Sequence, residues 1–388
     1  MYYDVVIAGG SIAGLLCARE VANNGHSVLV LEEDYEIGTP EHCGGLVSIM
    51  ALEELGIIPH RKTFVHYIES AEIFSPAGKR FTIESKKQKV AEVNRRDLDK
   101  QIALQAKKNG AEIRVKTSFK EITDDGVNTS IGNIKCKIIV DARGVSALIN
   151  KDRTGILSSA QYEVYADWIK NGRVEVYFDQ KKYPGFFAWI IPSSDGVGKV
   201  GVAGRAINAA DALEEFLSRK GSYSTIRKIF APIWIKGPID KFVSKNIVIV
   251  GDAAGQSKPT TAGGIFSCGV GGILAGQAIS KYLESGNEED LNQYQKLWNK
   301  KFGKEFEKQL LARKILERLD NATIDKLFDS VTPEILKEVS NKDDFDFHTS
   351  SIIKLLGVKG SFKAAQIIMT GEMKNLLSWD WLIFVRKV

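Results

Sequence analysis

Apolar residues fill the run from Asp4 to Ala8 without alternation, a turn of small residues follows at Gly9 to Gly14, and Ile12 to Asn23 carries helix-like spacing up to Gly25. Ser27 to Leu31 is a second apolar run. Strand, tight turn, helix and strand in this order predict a unit of parallel sheet, whose strands are buried on both faces and so read as continuous apolar runs. The runs Ala111 to Val115, Cys136 to Val140 and Asn246 to Val250 have the length and β-branched content of further strands, so the sheet draws on distant pieces of the chain. Val65 to Ile83, Gln161 to Ile169, Arg173 to Phe178, Phe186 to Ile191 and Lys199 to Ala203 have another rhythm. Val174, Val176 and Phe178 recur at every second position, which predicts antiparallel strands with one covered face and hence a second lobe. After Gly286 the residues Leu291, Tyr294, Leu297, Phe302, Phe306, Leu310 and Ile315 fall near helical spacing, and the rest of the chain is expected to be mainly helical.

The first turn reads Gly9-Gly10-Ser11-Ile12-Ala13-Gly14, and the first acidic residue after the second strand is Glu32, at roughly the 20-residue offset of the dinucleotide-binding fingerprint. Gly9 allows the sharp turn, the small residues around Ser11 let backbone approach a pyrophosphate, Gly14 permits close helix packing, and the helix N-terminus meets the negative charge. Glu32 is placed to accept hydrogen bonds from ribose hydroxyls. Ser11 stands where the fingerprint has its middle glycine, which leaves less space in the turn. Far along the chain, the apolar strand ending at Val250 is followed by Gly251-Asp252, then by Pro259 and Thr260-Thr261-Ala262-Gly263-Gly264-Ile265 opening another helix. This pair of elements resembles FAD proteins of the aromatic-hydroxylase type, where the aspartate contacts the ribityl chain and the following helix aims its N-terminus at the isoalloxazine.

At 388 residues the chain exceeds the size at which one core usually stops growing, so two or three lobes around a cleft are expected. Its 44% hydrophobic and 26% charged residues are those of a folded globular protein. A net charge of +5 spread among interspersed acids and bases gives no support to nucleic-acid binding. The cysteines Cys17, Cys43, Cys136 and Cys268 form no CxxC pair, which removes zinc-ribbon, ferredoxin-type and thioredoxin-like readings; no metal site is expected, and a reducing cytosol fits. The N-terminus lacks the pattern of a secretory signal. The longest apolar run, Ile265 to Ile279, is interrupted by Ser267 and Gln277 and falls short of a spanning helix, so a cytoplasmic protein is expected.

Four further segments narrow the family: Glu36 through Ser48 with its Cys43-Gly44-Gly45, Val93 through Ala103, Phe187-Ala-Trp-Ile-Ile-Pro192, and Gly251 through Gly272. Together with the motifs above, from Tyr3 to about Ile279, they resemble the geranylgeranyl reductases, flavoproteins that saturate isoprenoid chains of archaeal lipids and chlorophyll precursors. The resemblance implies an α/β fold: a Rossmann-type FAD-binding domain, aromatic-hydroxylase-like, assembled from residues 1–64, 92–155 and 240–285. An antiparallel β-sheet substrate lobe (65–91 and 156–239) and a helical C-terminal region (286–388) complete it. It implies FAD contacts at Ala13, Glu32, Cys43, Gly44, Gly45, Arg95, Asp252, Gly264 and Ile265, and at backbone near Phe119, with Arg96 as rival to Arg95; the fingerprint adds Gly9, Ser11 and Gly14. Phe187 stands where the family usually has tyrosine and Ile191 where it usually has phenylalanine, so the substrate channel is lined differently. Ile139 through Ser146 is similar to the Ala-Asp-Gly-x-x-Ser segment of related monooxygenases, but Arg143 replaces their aspartate, which argues against a separate nicotinamide domain.

An isolated trisubstituted alkene is not polarised by a carbonyl, so hydride from the reduced flavin has to be accompanied by a proton at the other alkene carbon. A thiol at Cys43 is the candidate to relay that proton. Phe186, Phe187, Trp189, Ile191 and Pro192 are the candidate wall of a water-excluding tunnel for a polyprenyl lipid. The expected activity is FAD-dependent saturation of geranylgeranyl double bonds in phospholipid synthesis, with electrons from a ferredoxin or a reduced nicotinamide. A flavin monooxygenase or halogenase acting on an aromatic substrate, and an electron carrier to quinone, are the alternatives. The stretch Leu376 to Val388 mixes tryptophan, aliphatic and basic residues, which suits peripheral contact with the inner face of the cell membrane.

Overall fold

The computed structural model describes residues 2–86, 88–149, 152–342 and 344–348. Tyr2–Ala8 lies at the middle of the first sheet, parallel to Gly132–Asp141 on one side and Val28–Leu31 on the other. Glu112–Arg114 and Ile247–Ile249 extend the parallel set outward. Val5 to Ala8 and Val28 to Leu31 are all buried, which accounts for their lack of alternation. Ile12–Asn23, Arg95–Lys108 and Ile265–Ser285 cover one face. The first and last of these helices touch backbone to backbone: a Cβ on Gly272 would stand 2.2 Å from the Ala13 carbonyl oxygen, and one on Gly276 2.7 Å from that of Cys17. Val6, Leu29, Leu31 and Ile139 fill the other face with Val127 and Ile134 of a small antiparallel extension.

A second sheet runs in the order Ser224–Phe230, Ile156–Tyr165, Val197–Gly204, Ala188–Ser194, Arg173–Tyr177, Ser70–Phe74 and Arg80–Glu84. Its pairings are antiparallel except one: Arg173–Tyr177 lies parallel to Ser70–Phe74. Those two strands come from distant segments and not from a hairpin, and a crossover connection permits the parallel direction. The stretch 65–91 divides its strands between two sheets, since Phe64–Ile68 and Val90–Val93 join Leu46–Ser48 in a separate three-stranded sheet. Helix Ala209–Lys220, capped by the Asn208 side chain, packs Leu213, Phe216 and Leu217 on one face of the large sheet. The opposite face is left free to line a cavity.

Helices Glu288–Trp298, Lys304–Leu316, Asn321–Asp329 and Pro333–Lys342 follow. Leu291, Tyr294, Trp298, Phe302 and Phe306 form the buried seam, whereas Leu297, expected on it, is exposed. A π-helical turn at Asn299–Gly303 shifts the seam and lets residues four apart keep one face. The sequence thus folds as mixed α/β with a Rossmann-type parallel sheet, a largely antiparallel second sheet and a helical C-terminal part. Among the described residues no helix is long and apolar enough to cross a membrane. The segment Leu376 to Val388 lies outside the described residues.

Candidate functional site

A cavity of about 1150 Å³ opens where the first sheet, the second sheet and the C-terminal helices meet. Its first half is built on the glycine turn. Gly9 has φ +116°, and a Cβ there would stand 2.3 Å from the Ala142 carbonyl oxygen, so no other residue fits. Gly9, Ser11 and Ala13 line the cavity; Gly14 lies beneath it, its absent Cβ making room for the Gly9 carbonyl oxygen. Glu32 accepts hydrogen bonds from the backbone N–H of Gly10 at 2.9 Å and of Asp34 at 3.0 Å. Burial pushes its carboxyl up against those bonds. Phe119 lines the same end, with the Arg143 guanidinium 4.5 Å from its ring centre and paired through two nitrogens with Asp141.

Asp252 enters from the other end of the chain, on the turn that closes the strand Ile247–Ile249. It is half-buried, loss of solvent pushes its carboxyl up, and it accepts from the Cys268 thiol at 3.4 Å. Gly264 leaves room beside it, since a Cβ there would lie 3.3 Å from Asp252 Oδ1. The helix Ile265–Ser285 that starts there has no side-chain cap, so its first backbone N–H groups face the cavity next to Gly264 and Ile265. Arg95 lines the cavity, with Nη2 3.0 and 3.1 Å from the Asp99 oxygens, and its buried Nε has no partner. Burial works to lower that guanidinium, but Asp99 and the Cys43 thiol outweigh it and hold it charged. Arg96 turns away to Glu36 at the surface, so of the two arginines it is Arg95 that faces the cavity. Cys43, Gly44 and Gly45 line the wall between the halves; the Cys43 sulfur accepts from the Gly45 N–H at 3.4 Å. A bare helix N-terminus, an orphaned buried Nε, a glycine cradle and a half-buried aspartate are the set that a pyrophosphate-bridged dinucleotide such as FAD requires.

The second half is apolar. Phe187, Trp189 and Ile191 line it, with Phe186 stacked on Phe187 at 4.1 Å between ring centres just before the strand Ala188–Ser194 begins. The Trp189 indole N–H donates to Gln161 at 3.1 Å, and its ring lies where Gly201 has no Cβ. Ile191 reaches Gly44, whose own Cβ would stand 2.5 Å from the Ile191 Cδ1. Pro192 is buried but outside the wall; its carbonyl accepts a hydrogen bond from His66 Nε2 at 2.6 Å. Sequence reasoning missed other parts of the wall, among them Ile73 and Phe81 from the second sheet and Leu316, Leu327 and Phe328 from the helices past Gly286. Alternation in Phe81 and Ile83 was the available signal, but nothing local says that their covered face is a cavity. His42 and His348 also line it, and loss of solvent takes the His348 imidazole down to about 3.

No protein-family model matches the chain. It is 32% identical over 357 residues to a digeranylgeranylglycerophospholipid reductase of Methanocaldococcus jannaschii, covering 85% of this chain and 90% of that protein. Digeranylgeranylglycerophospholipid reductase 2 of Methanothermobacter thermautotrophicus is 31% identical over 364 residues, 88% of this chain and 94% of the relative. Among solved structures, a geranylgeranyl bacteriochlorophyll reductase-like protein of Thermoplasma acidophilum superposes with a TM-score of 0.82 at 22% identity, over 97% of this chain and 99% of the other. A flavin-dependent brominase reaches 0.66 at 17% identity, over 94% of this chain and 100% of its own. These two likenesses are of fold.

Proposed function

This chain belongs to the digeranylgeranylglycerophospholipid reductase family, and we propose that it saturates the double bonds of geranylgeranyl chains in archaeal membrane phospholipids, with FAD as cofactor. The observation that carries this reading is the division of one cavity into a polar half with the dinucleotide donor set and an apolar half walled by Phe187, Trp189 and Ile191. Gly9, Ser11, Ala13 and the N-terminus of Ile12–Asn23 would hold the pyrophosphate, Glu32 the ribose, and Asp252 with Gly264 and Ile265 the inner end of the cofactor. Bound and reduced, FAD supplies the hydride that one alkene carbon takes up. The protein's own part is to fix a flexible apolar chain, exclude water and bring a proton to the second carbon. Cys43 Sγ stands at the junction of the two halves for that last task, and charged Arg95 beside it holds the thiol in place.

The reductant comes from outside the chain, a ferredoxin or a reduced nicotinamide, since Arg143 occupies the position where related monooxygenases carry an aspartate. Peripheral docking at the inner face of the cell membrane gives the lipid access to the apolar half. Mass spectrometry tests the reading directly: the FAD-loaded, dithionite-reduced protein incubated with geranylgeranyl phospholipid adds two mass units per saturated bond. An unchanged lipid with a fully reduced, folded protein overturns it.

A further inference from the structure

The apolar half of the cavity has a floor with a regular geometry. Trp189 pairs with Val176, Val176 with Ile73, and Ile73 with Phe81, one residue from each of four neighbouring strands and all facing the cavity. Neighbouring strands lie about 4.8 Å apart, so this row extends roughly 14 Å from the indole to the Phe81 ring. It begins beside the Cys43-Gly44 loop, because Ile191 of the Trp189 strand reaches Gly44. It ends at the margin of the sheet, because Arg80–Glu84 is the edge strand.

That margin is closed. Phe81 meets Phe328 of the helix Asn321–Asp329 with ring centres 4.9 Å apart and planes at 40°. Outside the two rings, Asp325 accepts from the Ala77 N–H at 2.9 Å, and Lys79 Nζ pairs with Asp329 at 2.6 Å. The Glu84 N–H donates to Ser340 Oγ at 3.1 Å, tying the same edge strand to the helix Pro333–Lys342. Both phenylalanines are half-buried and line the cavity, although no polar chemistry nearby calls for them.

We infer that Phe81 and Phe328 form the end wall of the apolar arm and set how far a prenyl chain passes beyond Trp189. They thereby select which double bond lies at the Cys43-Gly44 loop. The inference rests on the prenyl-lipid reading, and it assigns a specificity role to two residues that take no part in the chemistry. A chain that fills the arm stops against the ring pair, and any further isoprene unit stays in the wider part of the cavity with less apolar contact.

The test uses the flavin-loaded protein and the alcohols geraniol, farnesol, geranylgeraniol and geranylfarnesol, with affinity measured by titration calorimetry. In the parent, affinity rises along the series and then levels off. In Phe81→Ala and Phe328→Ala the levelling moves one isoprene unit longer, with a gain of roughly tenfold for that unit, a fraction of what full burial of its carbons gives. Phe81→Trp moves it one unit shorter and guards against loss of folding in the alanine variants, since it adds volume instead of removing it. With phospholipid as substrate, the alanine variants shift the mixture of partly saturated products. A limit that stays in place in Phe81→Ala, Phe328→Ala and Phe81→Trp, all melting like the parent, overturns the end wall while leaving the prenyl reading intact. A parent that binds none of the four alcohols overturns both.

Discussion

Cys43 meets the Gly45 N–H and the Arg95 guanidinium, and it adjoins Gly44, whose missing side chain lets Ile191 close in from the second sheet. Its sulfur is therefore held in place beside a cation at the cavity wall, where a positioned proton donor contributes 10²–10⁴-fold. Cys43→Ser is expected to leave bleaching of the flavin by dithionite unchanged and to slow the lipid-dependent return of colour by about 10²-fold in stopped-flow absorbance. Unchanged recolouring would make Cys43 a packing residue. Glu32 supports a separate expectation. It already holds the Gly10 N–H, and Glu32→Lys would both release that turn and set a cation where ribose hydroxyls need an acceptor. The variant should lose bound FAD during gel filtration, and a full complement of flavin would remove Glu32 from the site. Both residues were legible in the sequence, because each belongs to a short motif whose chemistry is local. Phe81 and Phe328 were not: each is an ordinary apolar residue until a strand edge and a distant helix bring their rings together.

The helices Ile12–Asn23 and Ile265–Ser285 start at the two ends of the proposed nucleotide site, and their closeness fixes the distance between the Gly9 turn and Asp252. Gly272 and Gly276 stand against the backbone at Ala13 and Cys17, so any side chain there forces the helices apart. Gly272→Val is expected to lower stability by at least the 1–3 kcal/mol typical of overpacking, and to weaken FAD retention even in the fraction that folds. Thermal melting and the visible absorbance of the purified variant measure the two effects separately. A parent-like melting temperature with full flavin would mean that the helices tolerate the separation. The elements around this contact were readable from apolar runs and glycine turns. The parallel pairing of Arg173–Tyr177 with Ser70–Phe74 was not, since a period of two shows that a strand exists but not which distant strand it joins. Leu297 was misplaced for a related reason: a helical seam read at constant spacing does not anticipate the π turn at Asn299–Gly303.

At the scale of the molecule, a buried ion cluster joins the parts that enclose the cavity. Lys199 of the second sheet lies 2.8 Å from Glu41, on the loop that carries Cys43, and 2.9 Å from Glu92 of the small sheet. Arg227 bridges Glu41 to Glu163 at 3.1 and 2.8 Å. Burial alone would raise the Glu41 carboxyl, but Lys199 and Arg227 outweigh it and hold it below the ordinary glutamate value. Burial likewise works to lower Lys199, and the two carboxylates hold it above the ordinary lysine value. The contribution of Glu41 is thus present above the ordinary glutamate pKa and lost as pH falls through its depressed folded value. That of Lys199 is present below the ordinary lysine pKa and lost as pH rises through its raised one. Lys199→Met should cost about 3–5 kcal/mol near neutrality, because buried Glu92 loses its cation and Glu41 keeps only Arg227. The deficit should shrink as pH falls through the depressed value at which Glu41 takes up its proton. Urea midpoints across that range decide it, and a deficit independent of pH would assign the loss to packing alone.

The arrangement of the nucleotide half has a further consequence, for the order in which the protein is made. Its first strand and glycine turn leave the ribosome at once, but Asp252, the strand Ile247–Ile249 and the helix that packs on Ile12–Asn23 follow only after the whole second sheet has been synthesised. Contacts so distant along the chain form late and slowly. On the proposed reading, cofactor capture waits for the helix Ile265–Ser285, and a ribosome-bound chain arrested before Gly251 is expected to stay colourless however well its opening strand has folded. The yellow of a bound flavin would then report that the chain has been made past Ser285.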